Sequence, residues 1–342
     1  MLISDFDYHL PDELIAQHPL AKRDESRMLV LDRARQAFGD FHFKDFPNFV
    51  NENDCIIVNN TKVFPARLIG KRQPSGGQVE LFLVREIEQN VWETLARPAR
   101  RLKAGQRISF GDESLKGEIV EEQSEGHRVV RFECEGALNE RIDAFGQTPL
   151  PPYIKRENSL LDEDRDRYQT VYANKRGAIA APTAGLHFTP KILDEVKAKG
   201  ANIAEITLHV GYGTFEPVRV TDLSEHKVSP ERFEISEEAA KKINETKGRK
   251  IVIGTTTTRA LESRADEKGK VNAGAGETSL TITPGYKFKI VDTLVTNFHL
   301  PRSSLLVLVS VFAGREVVLS AYRHAVAQHY RFYSYGDCML II

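Results

Sequence analysis

The chain of 342 residues carries 47 basic and 48 acidic side chains, a formal net charge of −1, with 41% hydrophobic and 28% charged residues. This composition excludes bulk disorder and a highly basic, non-specific nucleic-acid binder, and the length suffices for two domains of ordinary size. Cysteine stands only at Cys55, Cys134 and Cys338, with no C-x-x-C spacing, so neither a zinc site nor a disulfide framework is expected.

The first residues, Met1 to Asp7, are acidic where a signal peptide is basic, and no apolar stretch follows, so the cytoplasm is the expected compartment. Residues 1–61 read as an amphipathic start and then a strand-like run at 55–58 that stops at Asn59-Asn60, the first part of an α/β catalytic domain. From 62 to 148 the texture changes to short strand candidates at 79–84, 91–96, 118–120 and 128–132, which predict an inserted small all-β barrel. Pro149-Leu150-Pro151-Pro152 cannot join a ladder. Beyond it, over 149–342, strand and helix alternate. Strands are expected at 177–181 and 203–210 around a helix at 191–199, and a helix at 237–247 starts after Ser236 with Glu237 and Glu238 in its first turn. A strand at 250–254 then runs through a Thr-rich turn into a helix through 259–264, and a long helix closes the chain at 315–331. The apolar run at 305–312 is far shorter than the roughly 20 residues that span a bilayer, so it reads as a core helix and no membrane contact is expected. The fold class expected is mixed α/β: a barrel-like α/β domain interrupted by a small all-β barrel.

Charge is polarised along the insert. Residues 60–111 hold ten basic and four acidic groups and residues 112–145 four and ten, net +6 and −6. The densest basic point is Arg97-Pro98-Ala99-Arg100-Arg101-Leu102-Lys103, which suits RNA phosphates; the alternative is a solvated loop between strands.

Four segments concentrate Gly, Thr, His and Asn at expected strand ends. In Ala181 to Pro190, which includes Thr183, Gly185 allows close backbone approach, the N–H groups at the following helix start can bind an anion such as a carboxylate, and His187 is a candidate proton-transfer group or else a hydrogen-bonded turn residue. In Leu208 to Phe215, His209 precedes Gly211-Tyr212-Gly213, and Tyr212 and Phe215 either hold a planar base or a cation, or simply pack. Gly254-Thr255-Thr256-Thr257-Thr258-Arg259 is too polar for a core and suggests ligand hydrogen bonds, or a helix cap. The fourth, Val295 to Pro301, carries Asn297 and His299, with Tyr335-Gly336-Asp337 near the C-terminus. Ligands on α/β sheets collect at the carboxyl ends of strands, so four such ends favour a shared crevice. Gly274-Ala275-Gly276 is followed by a strand-like run and fails the dinucleotide fingerprint; phosphate-loop, zinc-protease and α/β-hydrolase motifs do not occur.

Taken together, several blocks resemble the S-adenosylmethionine:tRNA ribosyltransferase-isomerase family of queuosine biosynthesis. They are Asn59-Asn60-Thr61-Lys62-Val63, Pro65-Ala66-Arg67-Leu68, Pro149 to Ile154, Tyr168 to Ala173, Ala180 to Thr189, Leu208 to Phe215, Gly254 to Ser263 and Asn297 to Pro301. The similarity runs from Asp7-Tyr8 to Ser334-Tyr335-Gly336-Asp337. The resemblance implies an α/β barrel-like domain interrupted by a β-barrel. It also implies transfer and rearrangement of the ribosyl group of S-adenosylmethionine onto 7-aminomethyl-7-deazaguanine at the wobble position of tRNA, with epoxyqueuosine-tRNA, adenine and methionine as products. S-adenosylmethionine is then a co-substrate, with no cofactor and no metal, and a monomer is expected. His187 or His209 becomes the candidate base, with Asp337 a further catalytic candidate. Thr255, Thr256, Thr257 and Arg259 would face the nucleoside or the carboxylate, Tyr212 and Phe215 the sulfonium or the target base, and Arg97, Arg100, Arg101 and Lys103 the tRNA. Thr183, Gly185, Gly211, Gly213, Asn297 and His299 complete the expected substrate site.

One stretch departs from the family pattern H-x-M-H-x-E: His226-Lys227-Val228-Ser229-Pro230-Glu231 keeps the first His and the Glu and has Ser229 in place of the second His. The rival readings are a non-catalytic tRNA-binding protein and an S-adenosylmethionine-dependent RNA methyltransferase.

Overall fold

The structure is a computed structural model that describes residues 1–156, 162–211, 213, 218 and 220–342. It divides into two compact units, one of Met1–Lys62, Pro151–Glu157 and Asp166–Ile342, the other of Val63–Leu150 and Asn158–Arg165.

The first unit is built on a nine-stranded mixed sheet. Its spatial order is Gly274–Thr278, Glu231–Ile235, Asn202–Leu208, Cys55–Asn59, Lys250–Ile253, Thr293–Asn297, Cys338–Ile341, Arg27–Asp32 and Ala37–His42. The four central strands, from Asn202–Leu208 to Thr293–Asn297, are parallel. Cys338–Ile341 runs against Thr293–Asn297 and parallel to Arg27–Asp32, so both of these strands begin where the central four end.

Strand side chains alternate between two separate cores, which is why the runs are apolar throughout rather than every second residue. Cys55, Ile57, Val252, Leu294, Met339, Leu29 and Leu31 join one cluster, with helices Glu237–Asn244, Thr255–Arg264, Ser304–Ala313 and Arg315–Ala327 packed on that face. Ile56, Val58, Ile251, Ile253, Val295, Leu340, Met28 and Val30 join the other, covered by Pro190–Ala198 and the 3₁₀ segment Phe43–Phe49. The mixed α/β class is thus met.

Several local expectations are corrected. The last helix ends at Ala327, not 331: His329 takes a positive φ of 54° and the Tyr330 N–H turns back to Ala325 O at 2.8 Å. The strand expected at 177–181 lies at Lys175–Ala178, and the one at 203–210 stops at Leu208. The amphipathic start holds 3₁₀ turns and two further strands, Arg27–Asp32 and Ala37–His42. Met28 to Leu31 is a continuous apolar run that periodicity alone does not assign to helix or strand. Its partner, Cys338–Ile341, lies at the other end of the chain.

The second unit contains a closed, all-antiparallel barrel of six strands: Arg67–Arg72, Gln78–Glu88, Val91–Arg97, His127–Cys134, Leu115–Glu122 and Arg107–Phe110, the last pairing back to the first. The expected all-β barrel is present, and closure removes its sheet edges. Pairing also sets the acidic stretch against the basic one. Lys103 meets Glu122 at 2.9 Å and Arg107 meets Glu118 at 3.9 Å, while Arg67 and Arg85 pair with Glu80 and Glu93 at 2.7 and 3.0 Å.

Candidate active site

The carboxyl ends of the parallel strands converge on a solvent-open cleft of about 620 Å³ in the first unit. Thr183, Thr255, Thr256, Asn297 and His299 line it, all expected from sequence, together with Tyr153, Thr296, Tyr333 and Ser334. The gathering follows from topology: Thr183 begins the 3₁₀ turn Thr183–His187, Thr255 follows Lys250–Ile253, Asn297 ends Thr293–Asn297 and His299 follows it.

His299 is tightly held. Its Nε2 lies 2.9 Å from Thr296 Oγ1, its N–H donates to Tyr322 Oη at 3.1 Å, and its carbonyl accepts the Tyr8 hydroxyl at 2.5 Å. Burial alone pushes its pKa down to about 3, so the ring is neutral. Of the four threonines only two reach the cleft. Thr257 and Thr258 turn their hydroxyls back to Ile253 O and Gly254 O at 2.6 and 3.1 Å, inside the helix. Arg259 is held too, with Nη1 on Glu231 Oε2 at 2.7 Å and Nε on Leu280 O at 2.9 Å, while its Nη2 is buried without a partner among the described residues. Glu231, the retained acid of the departing motif, also accepts the Gly211 N–H at 3.2 Å; Ser229 is exposed, and burial with the nearby Arg259 charge lowers the pKa of His226.

His187 ends the 3₁₀ turn Thr183–His187 and lines a smaller recess with Arg23, Ser26, Arg167 and Tyr335; Ser334 borders both this recess and the cleft. Its Nδ1 lies 2.7 Å from Ser26 Oγ, which in turn donates to Arg23 O at 3.1 Å, and its ring packs on Phe43 with centroids 5.2 Å apart. Nε2 is buried without a partner and neighbours the Asn297 side chain. Burial, reinforced by the charges of Arg23 and Arg331, pushes its pKa down to about 4. His209 is half-buried, with Nδ1 2.8 Å from Thr61 Oγ1, and does not line the cleft; burial and the Arg232 charge lower its pKa.

Asp337 is a fastener. Its two oxygens accept the N–H groups of Arg27 and Arg331, each at 2.8 Å, and Arg27 Nε lies 3.4 Å away; burial raises its pKa. Gly185 is packed under Tyr172, whose hydroxyl would lie 2.1 Å from an added Cβ, so packing accounts for this glycine. Gly211 is fixed by Glu231 and Gly213 is half-buried, while Tyr212 and Phe215 lie outside the described residues.

On the barrel, Arg97, Arg100 and Arg101 are exposed, and no carboxylate of the described residues is within ion-pair distance of them; Lys103 is the one of the four that is paired, to Glu122. Sequence reasoning passed over Ser26, and it placed Tyr153 and Thr296 inside quoted segments without naming them as site residues. Ser26 carries no local signal, since its partner His187 is distant in the chain, the two segments being tied also by Arg23 Nη1 on Leu186 O at 3.2 Å.

A mixed sheet covered by helices, with a polar crevice at the ends of its parallel strands and an all-β barrel in the same chain, defines an α/β protein built to bind a ligand at its strand ends. Residues 3–341 match the model of a family described as queuosine biosynthesis protein. The chain is 50% identical over 344 residues to the S-adenosylmethionine:tRNA ribosyltransferase-isomerase of Acetivibrio thermocellus, and 49% over 345 residues to that of Halothermothrix orenii, covering 100% of each chain in both cases. The crystal structure of S-adenosylmethionine tRNA ribosyltransferase from Thermotoga maritima matches with a TM-score of 0.56 at 35% identity, over 99% of this chain and 100% of that one. The chain belongs to the queuosine biosynthesis family and is one of its transferase-isomerase enzymes.

Proposed function

We propose that this enzyme transfers and isomerises the ribosyl moiety of S-adenosylmethionine onto 7-aminomethyl-7-deazaguanine at the wobble position of tRNA, releasing adenine and methionine and leaving epoxyqueuosine-tRNA. The observation that carries the reading is the convergence of Thr183, Thr255, Thr256, Asn297 and His299 on one cleft, in a chain whose full-length relatives bear this activity in their names. The reaction needs a base for the ribose 5′ carbon acidified by the adjacent sulfonium, an acid for departing adenine, and hydrogen-bond donors for the methionine carboxylate.

Of the two candidate bases, His187 fits better. It is neutral near pH 7, and its Nε2 is buried without a partner among the described residues, whereas His209 is only half-buried and bonds Thr61. Ser26 positions the His187 ring. Arg97, Arg100 and Arg101 supply uncompensated positive charge for the tRNA backbone. Incubation with S-adenosylmethionine and tRNA bearing the aminomethyl base tests the reading. Adenine and methionine in equal amounts are expected; S-adenosylhomocysteine would mark a methyltransferase, and tRNA binding without turnover a binding protein.

A further inference from the structure

We infer that the start of the helix Thr255–Arg264 seats the α-carboxylate of an amino-acid head group, with Asn297 Oδ1 taking its ammonium, so that the methionine end of S-adenosylmethionine lies at this end of the cleft. The inference rests on the proposal that S-adenosylmethionine is the ribosyl donor.

Gly254 holds the turn from strand to helix at φ 92°, a conformation that favours glycine, and it has no side chain with which to cap the helix. The first intrahelical bond is Thr258 N–H to Gly254 O at 3.1 Å. The N–H groups of Thr255, Thr256 and Thr257 therefore project from the helix start, with no acceptor among the described residues. Thr255 and Thr256 are only 6% and 7% exposed, both line the cleft, and their hydroxyls make no hydrogen bond with a described residue, unlike those of Thr257 and Thr258. Two hydroxyls and a row of amide donors thus meet at one corner, which is the donor set a carboxylate takes.

The acceptor lies next door. Gly254 N–H bonds Val295 O at 2.8 Å, which sets the helix start beside the strand that ends in Asn297. The Asn297 amide is oriented by its Nδ2, which donates to Tyr333 O at 2.9 Å, so Oδ1 is left buried without a donor.

Charge selects between ligands. Among the described residues lining the cleft there is no Lys, Arg, Asp or Glu, and burial keeps His299 neutral. Arg259, the cation nearest in sequence, is held by Glu231. A corner built of dipoles alone suits a zwitterion, whose charges cancel, better than a phosphate, which needs a counter-charge.

The test compares binding of S-adenosylmethionine with that of decarboxylated S-adenosylmethionine, which keeps the sulfonium and the ammonium and lacks only the carboxylate. By calorimetry, the wild-type protein is expected to bind the complete molecule roughly 10-fold or more tightly. In the Thr255→Val, Thr256→Val double variant, which keeps the backbone N–H donors and loses both hydroxyls, the ratio should fall severalfold, with the affinity for the decarboxylated molecule held. A wild-type ratio near one overturns the inference without any variant, and so does a double variant that keeps the wild-type ratio. In both cases adenine release by the wild type would leave the proposed function standing. Absence of adenine release when the wild type is given S-adenosylmethionine and the modified tRNA together would remove the proposed function itself.

Discussion

Replacing His299 by Gln should flatten the loss of stability on mild acidification. His299 is buried, has no charged partner, and keeps its Nε2 on Thr296 Oγ1 at 2.9 Å, a contact that a Gln amide nitrogen can replace. Its folded pKa is about 3, against an ordinary value of 6.5. Between these values the unfolded chain binds a proton that the folded protein refuses. Stability is therefore full above about pH 6.5, and it falls as the pH drops, by up to about 1.4 kcal/mol per pH unit for each such group. From about pH 6 to about pH 5, where most carboxylates are still ionised, His299 and His187 should each remove about 1 kcal/mol. That is a sizeable share of a total of about 5–15 kcal/mol. Urea unfolding followed by circular dichroism at the two pH values, for wild type and His299→Gln, gives the difference directly. The variant should lose about 1 kcal/mol less than the wild type, with unchanged m-value. The chain's single tryptophan, Trp92, belongs to the barrel unit, so its fluorescence offers a control signal from the other unit. Equal losses in the two proteins would refute the claim that the fold excludes a proton from His299.

Three further outcomes follow from the structure. His187→Ala should abolish turnover in folded protein while His209→Ala retains part of it; full turnover by both variants would exclude a histidine base at either position. Changing Arg100 and Arg101 to Glu should weaken tRNA binding at least 10-fold at moderate salt, by reversal of two exposed charges, and leave S-adenosylmethionine binding unchanged; an unaltered dissociation constant for tRNA counts against the patch. Glu231→Gln removes the carboxylate charge from a pair whose side chains are 4% and 8% exposed, and should cost about 3 kcal/mol by leaving Arg259 buried and uncompensated. A loss below about 1 kcal/mol in urea unfolding would mean that Arg259 finds another partner or reaches water.

What the sequence determined by itself is local. Gly254 before four threonines marks a strand-to-helix turn, Ser236 with Glu237 and Glu238 marks a helix start, and the alternating short strands between 62 and 148 mark a β module, because caps, turns and side-chain period act within a few residues. The same locality explains how Thr183, Thr255, Thr256, Asn297 and His299 could be named from strand ends. Only the tertiary structure decided which polar groups are spent. Arg259 belongs to Glu231, Asp337 to the N–H groups of Arg27 and Arg331, and Lys103 to Glu122, all through partners on other elements. Ser26 meets His187 across 161 positions of the chain, a contact that only the folded molecule makes. The +6 and −6 stretches of the insert are likewise facing strands of one barrel, and their pairing leaves Arg97, Arg100 and Arg101 as exposed charges. Hydrogen bonds and ion pairs form across space, and sheet register, set by contacts between distant parts of the chain, decides which charges meet.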